Sequence, residues 1–314
     1  MGLMIDGAYH AEDPAPDTDA EGRFQRAKAT IRHWITPQGP FAPDAGRYHL
    51  YAAWNCPWAH RALLMRALKG LQDTISVAYA RPRRTDQGWV HDADGPYSDP
   101  ELGVGALHAV YARAAPPYTG RITVPLFWDR ETEQPVSNES ADIVRMLNDA
   151  FPGPDFAPAP LREGIDAWNA RIYADVNNGV YRAGFARSQA AYDAAVAQVF
   201  AALDKIEDHL AANRYLMGDT FTEADIRLFP TLARFDVAYH YAFKCNIRRL
   251  MDYPNLWAYA REIYAMPGVA DTVAFDIYKQ GYFSQSELRN PLGIVPAGPV
   301  IDWTAPHGRD HSRA

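Results

Sequence analysis

A cysteine placed where a strand turns into a helix is the strongest chemical feature of this sequence. Residues 48–54 are aromatic and apolar enough for a buried strand, and residues 58–69 carry helix formers with an apolar stripe. Cys56 falls between them, and Pro57 suits the first helical position because its missing N–H group costs nothing there. Free backbone N–H groups and the positive end of the helix dipole both favour thiolate over thiol at this position. Cys56 is therefore predicted to be a nucleophile.

The run from Cys56 to Ala59 has the spacing of the redox motif of thioredoxin-like proteins, with alanine in place of the second cysteine. Because the motif lacks a resolving thiol, a mixed disulfide formed on Cys56 needs an external thiol for its release, and glutathione is the predicted one. The alternative is that Cys56 is only a small buried residue that closes a strand-to-helix turn.

Composition excludes several classes of protein. At 314 residues the chain is long enough for two domains, and 48% hydrophobic with 22% charged residues is typical of a soluble globular protein. The net charge of −7 argues against a nucleic-acid partner, and no apolar run approaches the length of a membrane span. The two cysteines fit a reducing compartment, and the histidines show no tight pairing for a metal. We therefore expect a cytoplasmic protein without a metal or membrane partner.

The chain divides into four predicted parts: an N-terminal extension at 1–45, a thioredoxin-like domain at 46–150, a helical domain at 161–285 and an extended tail at 286–314. Within the extension, residues 1–22 are expected to be loosely packed, and residues 24–34 carry apolar side chains at helical spacing. The helical domain is predicted to contain helices at 165–177, 191–212, 223–242, 255–264 and 269–279.

Two further stretches of the thioredoxin-like domain bear on a ligand site. The irregular stretch 81–118, with one predicted helix at 101–113, places Trp89 where it can wall a pocket. A strand is predicted at 121–129, and Pro125 near its start matches the position of the cis proline of thioredoxin-like folds. That proline faces the catalytic cysteine and leaves the preceding backbone free to pair with a peptide ligand.

A helix is predicted to open at Glu139 and Ser140, after a short strand. A helix N-terminus that offers N–H groups and a hydroxyl binds carboxylates, and this one suits the γ-glutamyl end of glutathione. The alternative, of comparable weight for these two residues alone, is that Ser140 only caps the helix.

Taken together, the motifs resemble one family, the glutathionyl-hydroquinone reductases, which form the xi class of glutathione transferases. The resemblance covers nearly all of the chain after the first twenty residues. It rests on an ordered set of motifs: Gly46 to Tyr51, Cys56 to Arg61, Leu68 to Leu71, Gly88 to Val90, Val124 to Asp129, Ser137 to Ile143, Asn177 to Ala186, Arg234 to Asp236, Phe243 to Asn246 and Asn290 to Pro296.

The resemblance implies an α/β thioredoxin-like N-terminal domain followed by an all-α helical domain, which is the glutathione-transferase fold, and a homodimer. It makes Cys56 the nucleophile and Tyr181 the proton-transferring tyrosine, and it makes Tyr239 and Tyr282 two more tyrosines that face the sulfur. It also implies a glutathione site made of Trp89, Arg121, Ile122, Thr123, Val124, Pro125, Glu139 and Ser140.

Two departures from the family pattern affect the expected substrate. Near Tyr282 the family usually has a His-x-Lys and a paired Tyr-Tyr, whereas this chain has the run Ile277-Tyr278-Lys279 and then Tyr282-Phe283, so that one imidazole and one hydroxyl are missing. Trp54 and Asn55 replace smaller residues before the nucleophile. These changes leave the reaction class intact and leave the preferred quinone open.

The expected activity is glutathione-dependent reduction of glutathionyl-hydroquinones through a Cys56–glutathione mixed disulfide. One alternative is an omega-like glutathione thioltransferase or deglutathionylase, which would have a flat open cleft instead of an aromatic slot. The other is a non-catalytic glutathione-transferase-like binding module, against which the combination of Cys56, Pro125 and Glu139-Ser140 argues.

Overall fold

The computed structural model describes residues 2–12, 18–287 and 289–309. In its described parts the chain forms two compact units. Of the described residues, the first unit contains 2–12 and 27–154, and the second contains 18–26, 155–287 and 289–309. The segment predicted as one N-terminal extension is therefore divided between the two units.

The first unit contains two sheets and the helices that cover them. Its strands are β1 (Leu3–Ile5), β2 (Ala8–His10), β3 (Tyr48–Ala52), β4 (Ile75–Tyr79), β5 (Gly120–Arg121), β6 (Leu126–Asp129) and β7 (Gln134–Ser137). Its helices are α1 (Pro57–Leu68), α2 (His108–Tyr111) and α3 (Ser140–Ala150). The larger sheet has the order β4-β3-β6-β7, with β3 parallel to β4 and antiparallel to β6.

Strand β3 is the centre of this unit, and all five of its residues are buried. Helix α1 starts at Pro57, as predicted, and connects β3 to its parallel neighbour β4. It stops before Gly70, whose φ of 68° is the left-handed conformation that favours glycine at a helix end. The strand, turn and helix around Cys56 are thus confirmed.

The N-terminal residues are more ordered than predicted. Strands β1 and β2 form a hairpin, and β1 also pairs with β5. The Tyr9 ring of β2 stacks on His108 with centroids 4.1 Å apart, and its hydroxyl donates to the Asp86 carbonyl oxygen. The expectation of a loosely packed lead is wrong for these residues, because strands of three residues are too short to show a hydrophobic period.

Residues 24–34 carry apolar side chains at helical spacing but form no helix. The Ile31 side chain is buried, but its carbonyl accepts from Asn138 N at 3.0 Å, and His33 N donates to the Val136 carbonyl at 2.8 Å. The backbone at 31–33 therefore pairs with the edge of the sheet, so its polar groups are satisfied without a helical turn.

Of the helix predicted at 101–113, only α2 (His108–Tyr111) is helical. The Asp99 carboxylate accepts the backbone N–H groups of Glu101, Leu102 and Val104 at 3.0 to 3.3 Å. An aspartate that bonds to the following backbone offers it a turn in place of a helix, which explains the difference.

The strand predicted at 121–129 is interrupted. Arg121 lies in β5 and β6 starts at Leu126, while the Val124–Pro125 peptide between them is cis, as predicted. Proline has no N–H group for a strand ladder, so pairing resumes only after it.

The second unit is built of helices: α4 (Arg162–Arg171), α5 (Gly179–Gly184), α6 (Gln189–Ala212), α7 (Glu223–Arg234), α8 (His240–Ala242), α9 (Pro254–Tyr264) and α10 (Phe275–Tyr282). Short 3-10 turns lie at Ala159–Leu161, Leu250–Asp252 and Ala270–Thr272, and π turns lie at Ile172–Asn177 and Phe235–Tyr239. None of the helices in the described ranges is long and apolar enough for a membrane crossing.

Three of the predicted helices of this unit are interrupted. The helix predicted at 165–177 changes from α4 to the π turn at Ile172–Asn177. The helix predicted at 223–242 opens with the expected Thr222–Asp225 capping box, but a π turn separates α7 from α8. There the buried Asp236 carboxylate accepts from Leu250 N at 2.6 Å, a long-range bond that helical periodicity does not encode. The helix predicted at 269–279 is a 3-10 turn followed by α10.

The C-terminal tail has no regular helix or strand at residues 291–302, in line with its proline content. It is nevertheless anchored, because Trp303 is 5% exposed and packs on the rings of Trp257 and Phe275 at 4.8 and 5.2 Å. The second unit therefore holds this tail by an aromatic contact.

A buried histidine lies in the middle of β3. His49 is fully buried, its Nδ1 lies 2.6 Å from Ser76 Oγ, and its ring packs on Tyr51. Burial first and the positive charge of Arg130 second lower the pKa of His49 from 6.5 to about 3. The Glu101 carboxylate, 3.9 Å away, is paired with Arg130 at 2.6 Å and does not offset the burial.

His49 is expected to make stability fall as the medium becomes acidic. Its folded pKa lies below its unfolded value, so the unfolded chain binds the extra proton, and stability is lost as the pH falls below 6.5 towards 3. For one such group the free energy of unfolding should drop by about 2 kcal/mol between about pH 7 and about pH 5.

Urea unfolding at the two pH values measures this drop. His49→Asn, which cannot titrate, should reduce it, and His33→Asn at an exposed position is the control for the loss of one histidine. An unchanged drop in His49→Asn would contradict the assignment.

Candidate active site

Cys56 caps helix α1 with its sulfur. Its backbone is extended, with φ of −83° and ψ of 116°, and its Sγ accepts from Ala59 N at 3.5 Å. The thiol also donates to the carbonyl oxygen of Val124, the residue before the cis proline, at 3.3 Å. The side chain is partly exposed and is not in a disulfide. The sulfur thus lies at a helix N-terminus beside the cis-proline turn, as the sequence predicts.

The two unusual residues before Cys56 each have a structural partner. The Trp54 ring stacks on Tyr79 of β4 with centroids 4.5 Å apart and planes 8° apart. Asn55 Nδ2 donates to the Pro82 carbonyl oxygen at 3.2 Å. The larger side chains therefore tie the turn before the nucleophile to β4 and to the loop that follows it.

The predicted binding run 121–125 joins β5 to β6. Ile122 and Val124 are buried, whereas Arg121 and Thr123 are partly exposed. The Tyr111 hydroxyl donates to the Thr123 carbonyl oxygen at 2.8 Å, and burial raises the pKa of Tyr111, so it remains a donor at neutral pH. This contact fixes the backbone that leads to Pro125.

Glu139, and not Ser140, caps helix α3. Glu139 Oε1 accepts from Ala141 N at 3.0 Å, and Ser140 is the first helical residue and only 3% exposed. Arg61 of α1 brings a positive charge to this end, since its Nη1 donates to Ser140 Oγ at 3.4 Å. The alternative that Ser140 is the cap is therefore wrong. A helix N-terminus with an adjacent guanidinium is suited to a carboxylate group.

Trp89 is 7% exposed, and Arg84 lies over its ring with Cζ 5.1 Å from the centroid. Its carbonyl accepts from Leu107 N at 2.9 Å, which ties the loop to the start of α2. Trp89 is thus a largely buried ring that carries a cation on one face.

The three predicted tyrosines meet in the second unit. Tyr181 lies on α5, Tyr239 closes the π turn after α7 and Tyr282 is the last residue of α10. The Tyr282 hydroxyl oxygen is 2.9 Å from that of Tyr181 and 3.0 Å from that of Tyr239. We call this the hydroxyl chain; Tyr282 is its centre.

The surroundings of the hydroxyl chain make two of its members weaker acids than an ordinary tyrosine. Burial, and secondly the neighbouring phenol of Tyr181, raise the pKa of Tyr239 and of Tyr282 well above 10. At neutral pH both side chains therefore carry their protons and can donate hydrogen bonds. Tyr181 at one end of the chain is partly exposed.

Phe243 is a residue of this cluster whose role the sequence did not suggest. Its ring lies 5.2 Å from the rings of both Tyr181 and Tyr239 and 5.5 Å from that of Tyr282. A Cβ atom at Gly184 would clash with the Phe243 ring, so glycine is required there. Phe243 belongs to the Phe243 to Asn246 motif, but the sequence does not indicate which residues this motif contacts.

The departures near Tyr282 lie outside the hydroxyl chain. Tyr278 is fully buried, its hydroxyl donates to the Thr272 carbonyl oxygen at 3.4 Å, and Arg234 Cζ lies 3.7 Å above its ring. Phe283 is buried beside Tyr241, with ring centroids 5.5 Å apart. Tyr278 therefore packs in the core and adds no hydroxyl to the three of the chain.

The chain is similar to glutathione transferases in both halves. The family model for the glutathione S-transferase N-terminal domain matches residues 55–150, and that for the C-terminal domain matches residues 189–262. The glutathionyl-hydroquinone reductase YqjG of Escherichia coli is 46% identical over 99% of both chains. PcpF of Sphingobium chlorophenolicum, a glutathionyl-hydroquinone reductase, is 46% identical over 96% of this chain and 97% of the relative.

Solved structures agree with this assignment. A glutathione-bound structure of YqjG superimposes with a TM-score of 0.88 at 44% identity, covering 98% of this chain and 99% of that one. A xi-class transferase from Natrialba magadii gives a TM-score of 0.91 at 42% identity, covering 99% and 97%. The predicted thioredoxin-like and all-helical fold is confirmed. The chain belongs to the glutathione transferases of the xi class, the family of the glutathionyl-hydroquinone reductases.

Proposed function

We propose that this protein reduces glutathionyl-hydroquinones to hydroquinones, with glutathione as the second substrate. The observation that carries the proposal is Cys56 at the N-terminus of α1, with Ala59 where a resolving cysteine would stand. Such a cysteine forms a mixed disulfide but cannot release it alone. The relatives named glutathionyl-hydroquinone reductase support the choice of substrate.

In the first step the Cys56 thiolate attacks the sulfur of the glutathionyl group. A bond forms between the two sulfur atoms, and the bond between sulfur and the aromatic carbon breaks. The carbon keeps the electron pair and takes up a proton, so the ring is reduced while the cysteine sulfur is oxidised. A hydroquinone ring favours this step because its keto tautomer stabilises the leaving carbon, which a simple thioether cannot do.

Tyr181 supplies the proton in this proposal. Its hydroxyl oxygen is within hydrogen-bond distance of Tyr282, which also contacts Tyr239. Because Tyr239 and Tyr282 keep their own protons at neutral pH, they can donate toward the phenolate that Tyr181 becomes. The resemblance to the family supports the same role for Tyr181.

In the second step glutathione thiolate attacks the sulfur that Cys56 holds. Oxidised glutathione leaves, Cys56 returns as thiolate, and the two steps balance without a metal ion or a nucleotide. One glutathionyl-hydroquinone and one glutathione thus give one hydroquinone and one molecule of oxidised glutathione.

Glutathione binding is assigned to the residues around Cys56. The helix N-terminus at Glu139 and Ser140, with Arg61 beside it, suits the γ-glutamyl carboxylate. Trp89 forms a wall, and the backbone before the cis proline pairs with the peptide. The assigned set is Trp89, Arg121, Ile122, Thr123, Val124, Pro125, Glu139 and Ser140.

We also propose that the protein forms a homodimer and acts in the cytoplasm.

An omega-like thioltransferase that acts on disulfides is the second candidate, because Cys56 alone would serve it equally well. The three tyrosines favour the reductase, since a leaving thiolate needs no proton donor.

A non-catalytic binding module is excluded if iodoacetamide alkylates Cys56 quickly at mildly acidic pH, where an ordinary thiol reacts slowly.

The Cys56 mixed disulfide is expected to be trapped when free glutathione is left out. One equivalent of a glutathionyl-hydroquinone should release hydroquinone and leave the protein heavier by about 305 Da, the size of one glutathionyl group, as thiol exchange requires. Intact mass spectrometry measures this.

The matched variant is Ala59→Cys, which supplies the missing thiol. It should lower the trapped fraction, because the added thiol attacks the Cys56 sulfur of the mixed disulfide, expels glutathione as its thiolate and leaves an intramolecular disulfide. Product release from an unmodified parent protein would contradict a mixed disulfide at Cys56.

A further inference from the structure

An arginine from the N-terminal part of the chain lies against the proposed proton donor. Arg26 Cζ is 4.6 Å from the centroid of the Tyr181 ring, and Arg26 Nε donates to Asn178 Oδ1 at 2.6 Å. Asn178 and Tyr181 are three positions apart at the start of α5, so they share one helix face. The guanidinium is thus held at one end by an amide and presented with its charge to the phenol ring.

The segment that carries Arg26 is anchored to the second unit. The Gly22 carbonyl accepts from Arg187 N at 2.9 Å, and Ser188 Oγ donates to the Glu21 carbonyl at 2.8 Å. Phe24 is 9% exposed, and its ring lies 5.2 Å from that of Phe185. These contacts of Glu21, Gly22 and Phe24, which directly precede Arg26, fix its position.

Gly22 is needed for this docking. Its φ is 79°, which other residues rarely adopt, and a Cβ atom there would come within 3.0 Å of Ser188 N. The placement of Arg26 therefore depends on a close approach of two backbones and not on a chance contact of a surface side chain.

The chemistry of Tyr181 gives this placement a consequence. When a phenol donates its proton it becomes a phenolate, and a positive charge within about 6 Å stabilises that anion. The charged and titratable groups that the described residues bring around Tyr181 include Arg26 on the ring, Tyr282 and through it Tyr239 at the hydroxyl, and Arg182 next along α5. Arg289 lies over the neighbouring Phe185 ring. Among these groups, Arg26 lies over the Tyr181 ring itself.

We propose that Arg26 is a positioning residue for proton transfer: it holds the Tyr181 ring and stabilises the phenolate that remains after the proton has left. This inference rests on the proposed function of Tyr181. It assigns to residues 18–26, which precede the thioredoxin-like domain in the sequence, a part in the chemistry of the helical unit.

The test compares Arg26→Met, Arg26→Lys and the control Lys28→Met, which removes an exposed cation two residues further on. Arg26→Met should lower turnover of a glutathionyl-hydroquinone about tenfold and move the alkaline limb of its pH profile up by about one unit, since removing a nearby charge makes the phenol a weaker acid. Arg26→Lys should recover most of the turnover, and Lys28→Met should behave as the parent protein.

A double-mutant cycle separates action through Tyr181 from a structural effect. In the Tyr181→Phe background, Arg26→Met should cause no further loss. An equal loss in both backgrounds, or an alkaline limb that does not move, would overturn the inference.

A titration without substrate keeps the two proposals distinguishable. The ultraviolet absorbance of tyrosinate is recorded against pH for the parent and for Arg26→Met, each with its Tyr181→Phe counterpart subtracted. The Tyr181 transition should lie at higher pH in Arg26→Met, and an unchanged transition would refute the role of Arg26. If the transition moves while Tyr181→Phe keeps full activity on glutathionyl-hydroquinones, Arg26 still acts on Tyr181, and only the proton-donor role fails.

Discussion

Cys56→Ser is expected to abolish the release of hydroquinone from a glutathionyl-hydroquinone. The serine hydroxyl can take the same place at the N-terminus of α1, but an alcohol is not acidic enough to provide the anion that attacks sulfur. Removal of a covalent nucleophile costs a factor on the order of a thousand or more in turnover. The measurement is the rate of hydroquinone formation under saturating glutathione.

The second cysteine provides the matched control. Cys245 is fully buried, and burial raises the pKa of its thiol to about 12, so it stays protonated and out of reach of a substrate. Cys245→Ala should therefore keep the activity of the parent protein. Substantial turnover in Cys56→Ser would remove Cys56 from the mechanism. If Cys56→Ser kept its turnover while Cys245→Ala lost it, the roles assigned to the two cysteines would be reversed.

The site around Cys56 could be predicted because its signals are local. An apolar strand, a proline at the first helical position and a glycine at the helix end all lie between residues 48 and 70, and each acts on the backbone next to it. The cis proline and the helix opening at Ser140 were predictable for the same reason. What local patterns could not show is that the Glu139 carboxylate, and not the serine hydroxyl, takes the capping position.

The segment at 24–34 shows how a local pattern can mislead. Its apolar residues have helical spacing, yet Ile31 and His33 exchange backbone hydrogen bonds with residues 136–138. A free edge of a sheet satisfies backbone groups as well as a helix does, and its availability depends on strands that form a hundred residues later.

The aromatic cluster of the helical unit depends on contacts of even longer range. Tyr181, Tyr239 and Tyr282 come from three separate elements, and Arg26 lies 155 positions before the ring that it covers. No hydrophobic period connects these residues. The tyrosines could therefore be predicted as site residues only from the family resemblance, and neither Arg26 nor Phe243 could be predicted. Tyr239 itself is the last residue of the π turn at Phe235–Tyr239, a departure from the α-helical period that a sequence pattern does not show.

Tyr181→Phe is expected to separate the reductase from a thioltransferase. The change keeps the ring that packs on Phe243 and under Arg26, and it removes only the hydroxyl that contacts Tyr282. If Tyr181 protonates the leaving carbon, turnover of a glutathionyl-hydroquinone should fall on the order of a hundredfold, the usual value of one general acid. Tyr173→Phe, which loses the same hydroxyl from a side chain that is 43% exposed, is the matched control and should have little effect.

The same variant is then tested on a small disulfide, the mixed disulfide of glutathione and mercaptoethanol. This substrate expels a thiolate, which is stable enough near neutral pH to leave without a proton donor, so its turnover should change far less than that of the hydroquinone conjugate. The ratio of the two losses is the informative quantity, because a distorted pocket or an altered Cys56 would slow both reactions alike. Equal losses would therefore mean that Tyr181 shapes the pocket or tunes the cysteine, and the proton would have to come from another group.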